Sequence, residues 1–219
     1  MKYRLAIFDL DGTVLNTLAD LADAVNAALS TCDYPTRTEE QVRDFVGDGI
    51  KKLIERAVPT DTATQDIARV YAAFVAHYTA HCADKTAPYS GIVSTLRTLR
   101  ARGVKTAVLS NKADSATVSL CKTYFEGLFD VVMGERESEG VPKKPAPDAV
   151  FSIMAQCGAL AADTVYIGDS EVDIKTAANA GVDVISVSWG FRSLDLLLKN
   201  GARVIVDTPK ELEALIIDE

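Results

Sequence analysis

The sequence predicts an α/β fold in which a doubly wound parallel sheet forms the core and a small α-helical domain is inserted into that core. From residue 90 onward, short apolar runs rich in β-branched residues alternate with helical patterns. Such alternation is typical of a parallel sheet with helices on both faces. Between Phe8 and Val104, in the first two runs, lie 95 residues, whereas a parallel crossover needs only about a dozen. The surplus predicts an inserted domain.

The strands and helices of the core follow from the period of the apolar residues. Short runs rich in β-branched residues predict strands, and apolar residues recurring every three or four positions predict helices. The predicted strands are Leu5–Phe8, 104–109, 130–133, 164–167, 182–187 and 203–206. The predicted helices are 90–102, 113–124, 147–157, Glu171–Ala180, Leu194–Lys199 and Pro209–Ile217. Folds of this class bind ligands at the carboxyl ends of their strands.

The inserted domain is predicted to comprise residues 16–85, which leaves residues 1–15 and 86–219 for the core. Apolar residues recur at helical spacing in 18–29 and in 67–82. Thr38 and Gln41 match a capping box, so another helix is expected to begin there. The segment has no convincing strand pattern, and we expect a small helical domain over the strand ends.

Composition argues against several classes of function. The formal net charge of −8 disfavours nucleic acid as a partner, because that binding is driven mainly by Lys and Arg. No apolar run approaches the roughly 18 residues that span a bilayer. The N-terminus argues against export, because Asp9 interrupts its short apolar segment. We therefore expect a cytoplasmic protein without a membrane partner. We also expect a monomer or a homodimer. The four cysteines lack the close pairing of zinc sites or redox dithiols.

The segment FDLDGTVLNT places two carboxylates, Asp9 and Asp11, one residue apart at the end of the first strand. Crowding them beside a buried strand is unfavourable, because each opposes the ionisation of the other and neither is well solvated. Such a pair indicates a function. The alternative is an ordinary Asp-Gly turn at Asp11 and Gly12, so the interpretation depends on the other strand ends.

Two further strand ends carry residues that suit a phosphoryl group. Ser110 and Asn111 close the second core strand, and the Ser110 hydroxyl with nearby backbone amides could hold a phosphoryl oxygen. The alternative for Ser110 is a turn or a helix cap. Lys144 lies in KKPAPD, where the prolines would aim its ammonium inward as a fixed charge. The alternative for Lys144 is a solvated surface lysine.

The motif GDSEVD places Asp169 at the end of the strand 164–167 and Asp173 in the first turn of the next helix. Helix capping alone would explain Asp173. With Asp9 and Asp11, however, the crevice would hold four carboxylates, and each pair at about 4 Å opposes ionisation by roughly 4 kcal/mol at an effective dielectric constant near 20. A divalent cation resolves this repulsion. Oxygen-only ligands suit Mg²⁺, whereas the His and Cys ligands that zinc favours are absent from these strand ends.

These four motifs, in this order, resemble the signature motifs of the haloacid dehalogenase superfamily of phosphohydrolases. The resemblance spans nearly the whole chain and implies a Rossmann-like core with a helical cap of the C1 type. Residues 45–57, FVGDGIKKLIERA, resemble the cap segment of phosphoglycolate phosphatases, in which a Gly-x-Gly loop reaches the site. The substrate loop implied here consists of Gly47, Asp48, Gly49 and Lys51. Alternatively, the lysines of this segment are the solvated face of a helix.

The resemblance also implies a role for each motif residue. Asp9 would attack phosphorus to give an aspartyl-phosphate, and Asp11 would protonate the leaving alcohol and then activate water. Mg²⁺ would be held by Asp9, Asp169 and the backbone carbonyl of Asp11, with Asp173 orienting the water molecules of the metal. The phosphoryl group would be bound by Ser110, Asn111 and Lys144.

The implied function is Mg²⁺-dependent hydrolysis of a small phosphorylated metabolite such as 2-phosphoglycolate. The alternatives are a phosphomutase resembling β-phosphoglucomutase, a phosphatase acting on sugar phosphates, pyrophosphate or nucleotides, and a non-catalytic binding module. Asp11 distinguishes the chain from dehalogenases and phosphonatases, and Thr13 favours hydrolysis over a mutase. His77 and His81 have the spacing of a metal pair, but no third ligand is evident, so packing at a helix edge is the favoured explanation.

Overall fold

The computed structural model describes residues 2–217 and divides the chain into two compact units. One unit comprises the chain up to Leu15 and from Pro88 onward, and the other is Asn16–Ala87. Each unit has its own cluster of buried apolar side chains. The larger unit contains all four sequence motifs of the predicted site.

Within the described residues, strands and helices alternate along the larger unit, and the smaller unit contributes four helices. The strands are β1 Leu5–Phe8, β2 Leu15–Asn16, β3 Ala87–Pro88, β4 Lys105–Ala113, β5 Val131–Glu135, β6 Thr164–Gly168, β7 Asp183–Val187 and β8 Ile205–Val206. The α-helices are α1 Leu18–Thr31, α2 Glu39–Phe45, α3 Ile50–Ala57, α4 Thr64–His81, α5 Ile92–Ala101, α6 Asp114–Phe125, α7 Asp148–Cys157, α8 Glu171–Ala180, α9 Leu194–Lys199 and α10 Pro209–Ile217. Short 3₁₀ turns lie at Glu137–Glu139 and Ala161–Asp163.

The core sheet has six strands in the order β5-β4-β1-β6-β7-β8, and every neighbouring pair runs parallel. Counted along the chain within this sheet, the order is 3-2-1-4-5-6, which is the order of Rossmann-like folds. The chain therefore reverses its direction of winding between β1 and β6. This topology confirms the predicted doubly wound α/β class. It also places the expected ligand crevice at the carboxyl ends of β1 and β6.

The central strand β1 is buried on both faces, which explains its uninterrupted apolar sequence. Leu5 and Ile7 pack in one cluster with residues of α7 and α8, such as Val150 and Ala177. Phe8 points to the opposite face because successive side chains of a strand alternate, and its ring contacts that of Phe129. Burying each large side chain contributes about 1.5–3 kcal/mol, so β1 anchors both helical layers.

The largest difference from the predicted elements lies at the end of β4. The sequence pattern predicts a strand that ends at residue 109, whereas β4 continues to Ala113. Its pairing with β5 shifts register between Leu109 and Ala113. The polar residues of this segment are still in extended backbone, and the register shift re-aims their side chains, as strand irregularities commonly do beside active sites. Ser110 and Asn111 thus lie inside a strand, not after one.

The smaller unit is a helical domain with a core of its own. Leu29 of α1, Ile54 of α3 and Phe74 of α4 are fully buried in one apolar cluster. Helix α2 begins with the predicted capping box, in which Thr38 and Gln41 satisfy each other's backbone N–H groups. The predicted start of a helix at this position is confirmed.

No helix between residues 2 and 217 combines the length and the apolar character needed to cross a membrane. The four cysteines, Cys32, Cys82, Cys121 and Cys157, are all free thiols. Cys121 is buried, and burial raises the pKa of its thiol to about 12. The other three thiols are partly buried.

Candidate active site

The carboxyl ends of β1, β4 and β6 bring the predicted site residues to one edge of the sheet. Phe8, the last residue of β1, is level with Val108 of β4 and Ile167 of β6. Asp9 and Asp169 therefore leave the sheet side by side. The buried polar side chains at this edge include those of Asp9, Ser110, Asn111, Lys112, Lys144, Asp169 and Asp173.

Asp9, Asp169 and Asp173 form a buried carboxylate cluster. Each offers one oxygen, and these three oxygens lie within 4.8 Å of one another. Burial, and next the charge of Asp173, raise the pKa of Asp9 well above its usual value and the pKa of Asp169 to about 7. The cluster is therefore electrostatically unfavourable when fully ionised. A cation among these oxygens would relieve the repulsion.

Lys144 is the ammonium that balances this cluster. Its Nζ lies 2.9 Å from Asp9 Oδ1 and 2.8 Å from Asp173 Oδ1, and only 3% of its side chain is exposed. Burial alone would lower the pKa of Lys144, but the charges of Asp173 and Asp9 outweigh that effect and raise the pKa well above its usual value. Lys144 is thus a permanent, inward-facing positive charge, and not the solvated lysine of the alternative interpretation.

The side-chain amide of Asn111 forms hydrogen bonds with both the backbone N–H and the backbone carbonyl of Lys144. Its Oδ1 accepts a hydrogen bond from Lys144 N at 2.9 Å, and its Nδ2 donates to Lys144 O at 3.1 Å. These two bonds hold the loop that carries the lysine against the end of β4. The structure therefore gives the Asn111 amide a positioning contact at Lys144.

Asp173 is a helix cap and a member of the cluster at the same time. Its Oδ2 accepts hydrogen bonds from the backbone N–H and the hydroxyl of Ser170, and the Ser170 hydroxyl in turn caps the start of α8. Its other oxygen, Oδ1, faces Lys144. The two interpretations of Asp173 in the sequence are thus both realised. The cap fixes the orientation in which Asp173 contributes its charge.

Asp11 is held by a lysine that the sequence analysis did not select. Lys112 Nζ lies 2.9 Å from both carboxylate oxygens of Asp11, and the two side chains are 3% and 13% exposed. The backbone N–H of Lys112 donates to Ser110 Oγ at 3.2 Å. One feature of the sequence could have identified Lys112, namely its position directly after Ser110 and Asn111 at the same strand end. The carboxylate of Asp11 thus forms an ion pair beside the cluster of Asp9, Asp169 and Asp173.

Asp169 is fixed by the loop that follows β7. Its Oδ2 accepts a hydrogen bond from Phe191 N at 2.6 Å, and its Oδ1 accepts one from Thr13 Oγ1 at 3.3 Å. The same loop donates Trp189 Nε1 to Thr13 O at 3.0 Å. A side chain at Gly190 would collide with Asp169, so the absence of a Cβ allows this close approach. The loop is a support of the site.

A sequence model of the haloacid dehalogenase-like hydrolases matches residues 6–187, a span that contains all four motifs and the smaller unit. The chain belongs to the haloacid dehalogenase-like hydrolase family. The match covers more than half of the chain and runs through every strand end described above. The resemblance inferred from the motifs is therefore confirmed.

Proteins named phosphoglycolate phosphatase are similar to this haloacid dehalogenase-like hydrolase over most of its length. The protein of Rhodospirillum rubrum is 32% identical over 216 residues, covering 93% of this chain and 87% of that protein. The protein of Pseudomonas syringae pv. tomato is 30% identical over 216 residues, covering 95% and 78%. The crystal structure of a candidate phosphoglycolate phosphatase from Lactobacillus delbrueckii subsp. bulgaricus has a TM-score of 0.95 at 39% identity, with 100% of both chains covered. These relationships identify the chain as a phosphatase.

The predicted substrate loop of this haloacid dehalogenase-like hydrolase lies in the smaller unit. Gly47 and Gly49 adopt positive φ angles of 127° and 85°, which favour glycine, and α3 begins directly after Gly49. Asp48 pairs with Arg56, so these opposite charges offset each other. Lys51 is exposed, as the alternative of a solvated helix face requires.

The carboxylate cluster fits a hard divalent cation. Its three members contribute oxygen ligands only, they are buried, and their charges exceed the single positive charge of Lys144. Carboxylate oxygens are the ligands that Mg²⁺ prefers, whereas zinc sites usually contain His or Cys. Phosphatases of this family generally use a metal ion, and the cluster provides the buried carboxylates that such an ion needs.

Proposed function

We propose that this phosphatase hydrolyses a small phosphomonoester of the 2-phosphoglycolate type, with Mg²⁺, through an aspartyl-phosphate on Asp9. The observation that carries the proposal is the buried cluster of Asp9, Asp169 and Asp173 with Lys144 against it. In this proposal the cluster provides a nucleophile, a cation site and a fixed positive charge at one edge of the sheet. These are the parts that phosphoryl transfer requires.

Asp9 is the nucleophile of the proposed reaction. Its Oδ1 accepts a hydrogen bond from Leu10 N at 2.7 Å and contacts Lys144 Nζ at 2.9 Å. Both contacts restrict rotation of the carboxylate, so its attack on phosphorus needs little reorganisation. Uncatalysed phosphomonoester hydrolysis is so slow that the barrier must fall by about 20 kcal/mol. Positioning and fixed charge must supply most of this, because a carboxylate is a weak nucleophile.

In this proposal Mg²⁺ is held by Asp9, Asp169 and the backbone carbonyl of Asp11, with Asp173 beside it. When bound, the cation supplies charge that stabilises the phosphoryl oxygens in the transition state. Lys144 binds the same phosphoryl group from the side of Asp9. The Ser110 hydroxyl, buried at the end of β4, donates to another of its oxygens.

Asp11 carries the proton in the proposed reaction. In its protonated form Asp11 donates a proton to the leaving alcohol, and the carboxylate that results then takes one from the water that hydrolyses the aspartyl-phosphate. Lys112 holds both oxygens of Asp11 at 2.9 Å and thereby orients the carboxylate. Lys112 is therefore a positioning residue of the proposed mechanism.

The substrate class rests on similarity to relatives named phosphoglycolate phosphatase and on the loop of Gly47, Asp48, Gly49 and Lys51. The two glycines give a tight turn before α3, and a short loop of this kind suits a small ligand. Lys51, exposed beside it, is the side chain that we assign to the second anionic group of the substrate.

The test is a comparison of substrates with purified protein and Mg²⁺. Phosphate release is measured with 2-phosphoglycolate, sugar phosphates, pyrophosphate and nucleotides, and we expect the highest kcat/KM for 2-phosphoglycolate. EDTA should abolish turnover and added Mg²⁺ should restore it. Equal kcat/KM values across the panel would refute the assignment of a 2-phosphoglycolate-type substrate. Conversion of a sugar phosphate to its isomer without phosphate release would establish a mutase instead.

Asp9→Asn tests the mechanism separately, because it removes the nucleophile while keeping the size of the side chain. We expect no turnover of any substrate. After incubation with a substrate that carries a radiolabelled phosphoryl group, we expect no acid-stable label on the protein. Asp195→Asn, an exposed position in α9, serves as the matched control and should retain full activity. A fully active Asp9→Asn protein would overturn the aspartyl-phosphate mechanism.

A further inference from the structure

Two histidines near the end of α4 face a polar cleft in the smaller unit. His77 and His81 lie one helical turn apart, with ring centroids 4.5 Å from each other. The cleft has a volume of about 370 Å³ and is lined by Asp20, Asp23, Asn26, His77, His81 and Asp84. The proposed reaction uses none of these residues. Imidazoles at positions i and i+4 of a helix point to the same side, as two ligands of one metal ion must.

The tautomer of His81 is set by Asp84. Asp84 Oδ2 lies 2.8 Å from His81 Nδ1, and a carboxylate can only accept a hydrogen bond, so Nδ1 carries the proton. The Nε2 lone pair of His81 is then directed away from Asp84. Metal-ligating histidines characteristically donate their second ring N–H to a carboxylate in this way. The contact between His81 and Asp84 has this form.

The two carboxylates of α1 differ in how firmly they are bound. Both oxygens of Asp20 accept backbone N–H groups of Lys85 and Thr86 at 2.8–3.0 Å, so Asp20 is structural. Asp23 pairs only through one oxygen, Oδ2, with Lys85 Nζ at 2.6 Å, and both side chains are more than half exposed. Exposed ion pairs contribute little to stability because solvent screens them, so Asp23 can exchange Lys85 for a stronger cation at little cost.

We propose that His77, His81 and Asp23 bind a divalent transition-metal ion of the Zn²⁺ type, with Asp84 orienting His81. Three carboxylates and one ammonium, those of Asp20, Asp23, Asp84 and Lys85, give the cleft a formal charge of −2 when both imidazoles are neutral. Among residues 2–217, only the cluster at Asp9 holds three ligand atoms within 4.8 Å. Metal binding at the cleft therefore requires its ligand side chains to move closer together than they lie in this structure.

The chemistry of the ligands separates this site from the proposed Mg²⁺ site. Imidazole nitrogen favours zinc, copper and nickel ions, whereas the oxygen-only cluster at Asp9 favours Mg²⁺. Bound Zn²⁺ would connect α1, through Asp23, to the last turns of α4. It would therefore stabilise the helical unit, and we expect this effect to be independent of turnover.

The test is calorimetric titration of the full chain with Zn²⁺ in the presence of millimolar Mg²⁺, which occupies the oxygen-only site. We expect one Zn²⁺ per chain and a rise in Tm on binding. His77→Asn combined with His81→Asn should abolish this binding and the rise in Tm, and Asp84→Asn should weaken binding by about tenfold or more. The helical circular dichroism of each variant verifies that it is folded.

Asp66→Asn is the matched control, since Asp66 is a partly exposed carboxylate of the same helix that pairs with Arg69. It should bind Zn²⁺ like the wild type. The doubly substituted protein should keep its Mg²⁺-dependent phosphatase activity. Unchanged Zn²⁺ binding in that protein, or no Zn²⁺ binding by the wild type, would overturn the proposal. These outcomes do not depend on the identity of the phosphatase substrate.

Discussion

Two buried lysines supply positive charge at the phosphatase site, and each has different partners. Lys144 lies between Asp9 and Asp173, whereas Lys112 contacts both oxygens of Asp11. A carboxylate that is nearly buried costs several kcal/mol unless it is paired. The two lysines therefore make it possible to concentrate carboxylates at the strand ends. They hold Asp9 and Asp11 in separate ion pairs, which agrees with the separate roles that we propose for these two residues.

Lys112→Met tests whether the second pair orients Asp11. Methionine keeps the length and apolar character of the side chain but removes the ammonium. We expect kcat to fall by about 10- to 100-fold, which is part of the 10²–10⁴-fold that general acid–base catalysis contributes, with a smaller change in KM. Lys112→Arg should restore part of kcat, because it restores a donor to Asp11. The measurement is steady-state kinetics with Mg²⁺.

The control for this variant is Lys105→Met, an exposed position at the start of the same strand, which should leave both constants unchanged. If Lys112→Met retained the wild-type kcat, Lys112 would have no positioning role. An increase in KM alone would instead indicate that Lys112 binds substrate.

At the scale of the secondary-structure elements, the sequence predicts type and order well, and strand ends less well. The class, the central strand Leu5–Phe8 and the helix Glu171–Ala180 follow from apolar periodicity, which is a local property. The continuation of β4 to Ala113 depends on its pairing with β5, which periodicity does not contain. Lys112 was missed for a related reason, since its partner Asp11 lies 101 residues away in the chain. Only the folded sheet brings the two together.

The loop after β7 is the element that most directly supports a proposed metal ligand. Gly190→Ala should place a Cβ against Asp169, which is already fixed by Phe191 N and Thr13. Because neither side has room to move, we expect a loss of about 1–3 kcal/mol of stability, typical of overpacking, and a weaker apparent affinity for Mg²⁺. Mg²⁺-activation curves and thermal unfolding measure the two effects.

Gly158→Ala separates these two effects. Gly158 ends α7 with a φ of 64°, and a Cβ there would meet no neighbour within 4 Å. Its backbone strain should lower stability by about 1 kcal/mol without changing Mg²⁺ activation. If Mg²⁺ activated the Gly190→Ala protein as well as the wild type, the loop would not support Asp169.

For the whole molecule, the carboxylates that we assign to the proposed reaction oppose folding when they are ionised and no cation is bound. Asp169 has a pKa of about 7 in the folded protein, compared with about 3.9 in an unfolded chain. At pH values between these two pKa values, Asp169 therefore keeps its proton in the folded protein but loses it in the unfolded chain. By linkage, this difference in pKa adds to the free energy of unfolding. The contribution is complete below about pH 4 and is lost as the pH rises through about 7. The proposed Mg²⁺ should compensate for this loss.

Thermal unfolding at several pH values tests this linkage. In EDTA, we expect the Tm of Asp169→Asn to exceed that of the wild type by a margin that grows from pH 5 to pH 7 and then levels off, because the amide has no proton to lose. Mg²⁺ should raise the wild-type Tm more at pH 8 than at pH 5. Binding to the folded state adds stability that grows with the logarithm of the affinity, and at low pH protons compete with the cation for Asp169. Asp195→Asn should follow the wild type throughout. A margin that is the same at pH 5 and pH 8 would mean that the charge of Asp169 is already compensated within the protein, and the case for a cation at this cluster would fail.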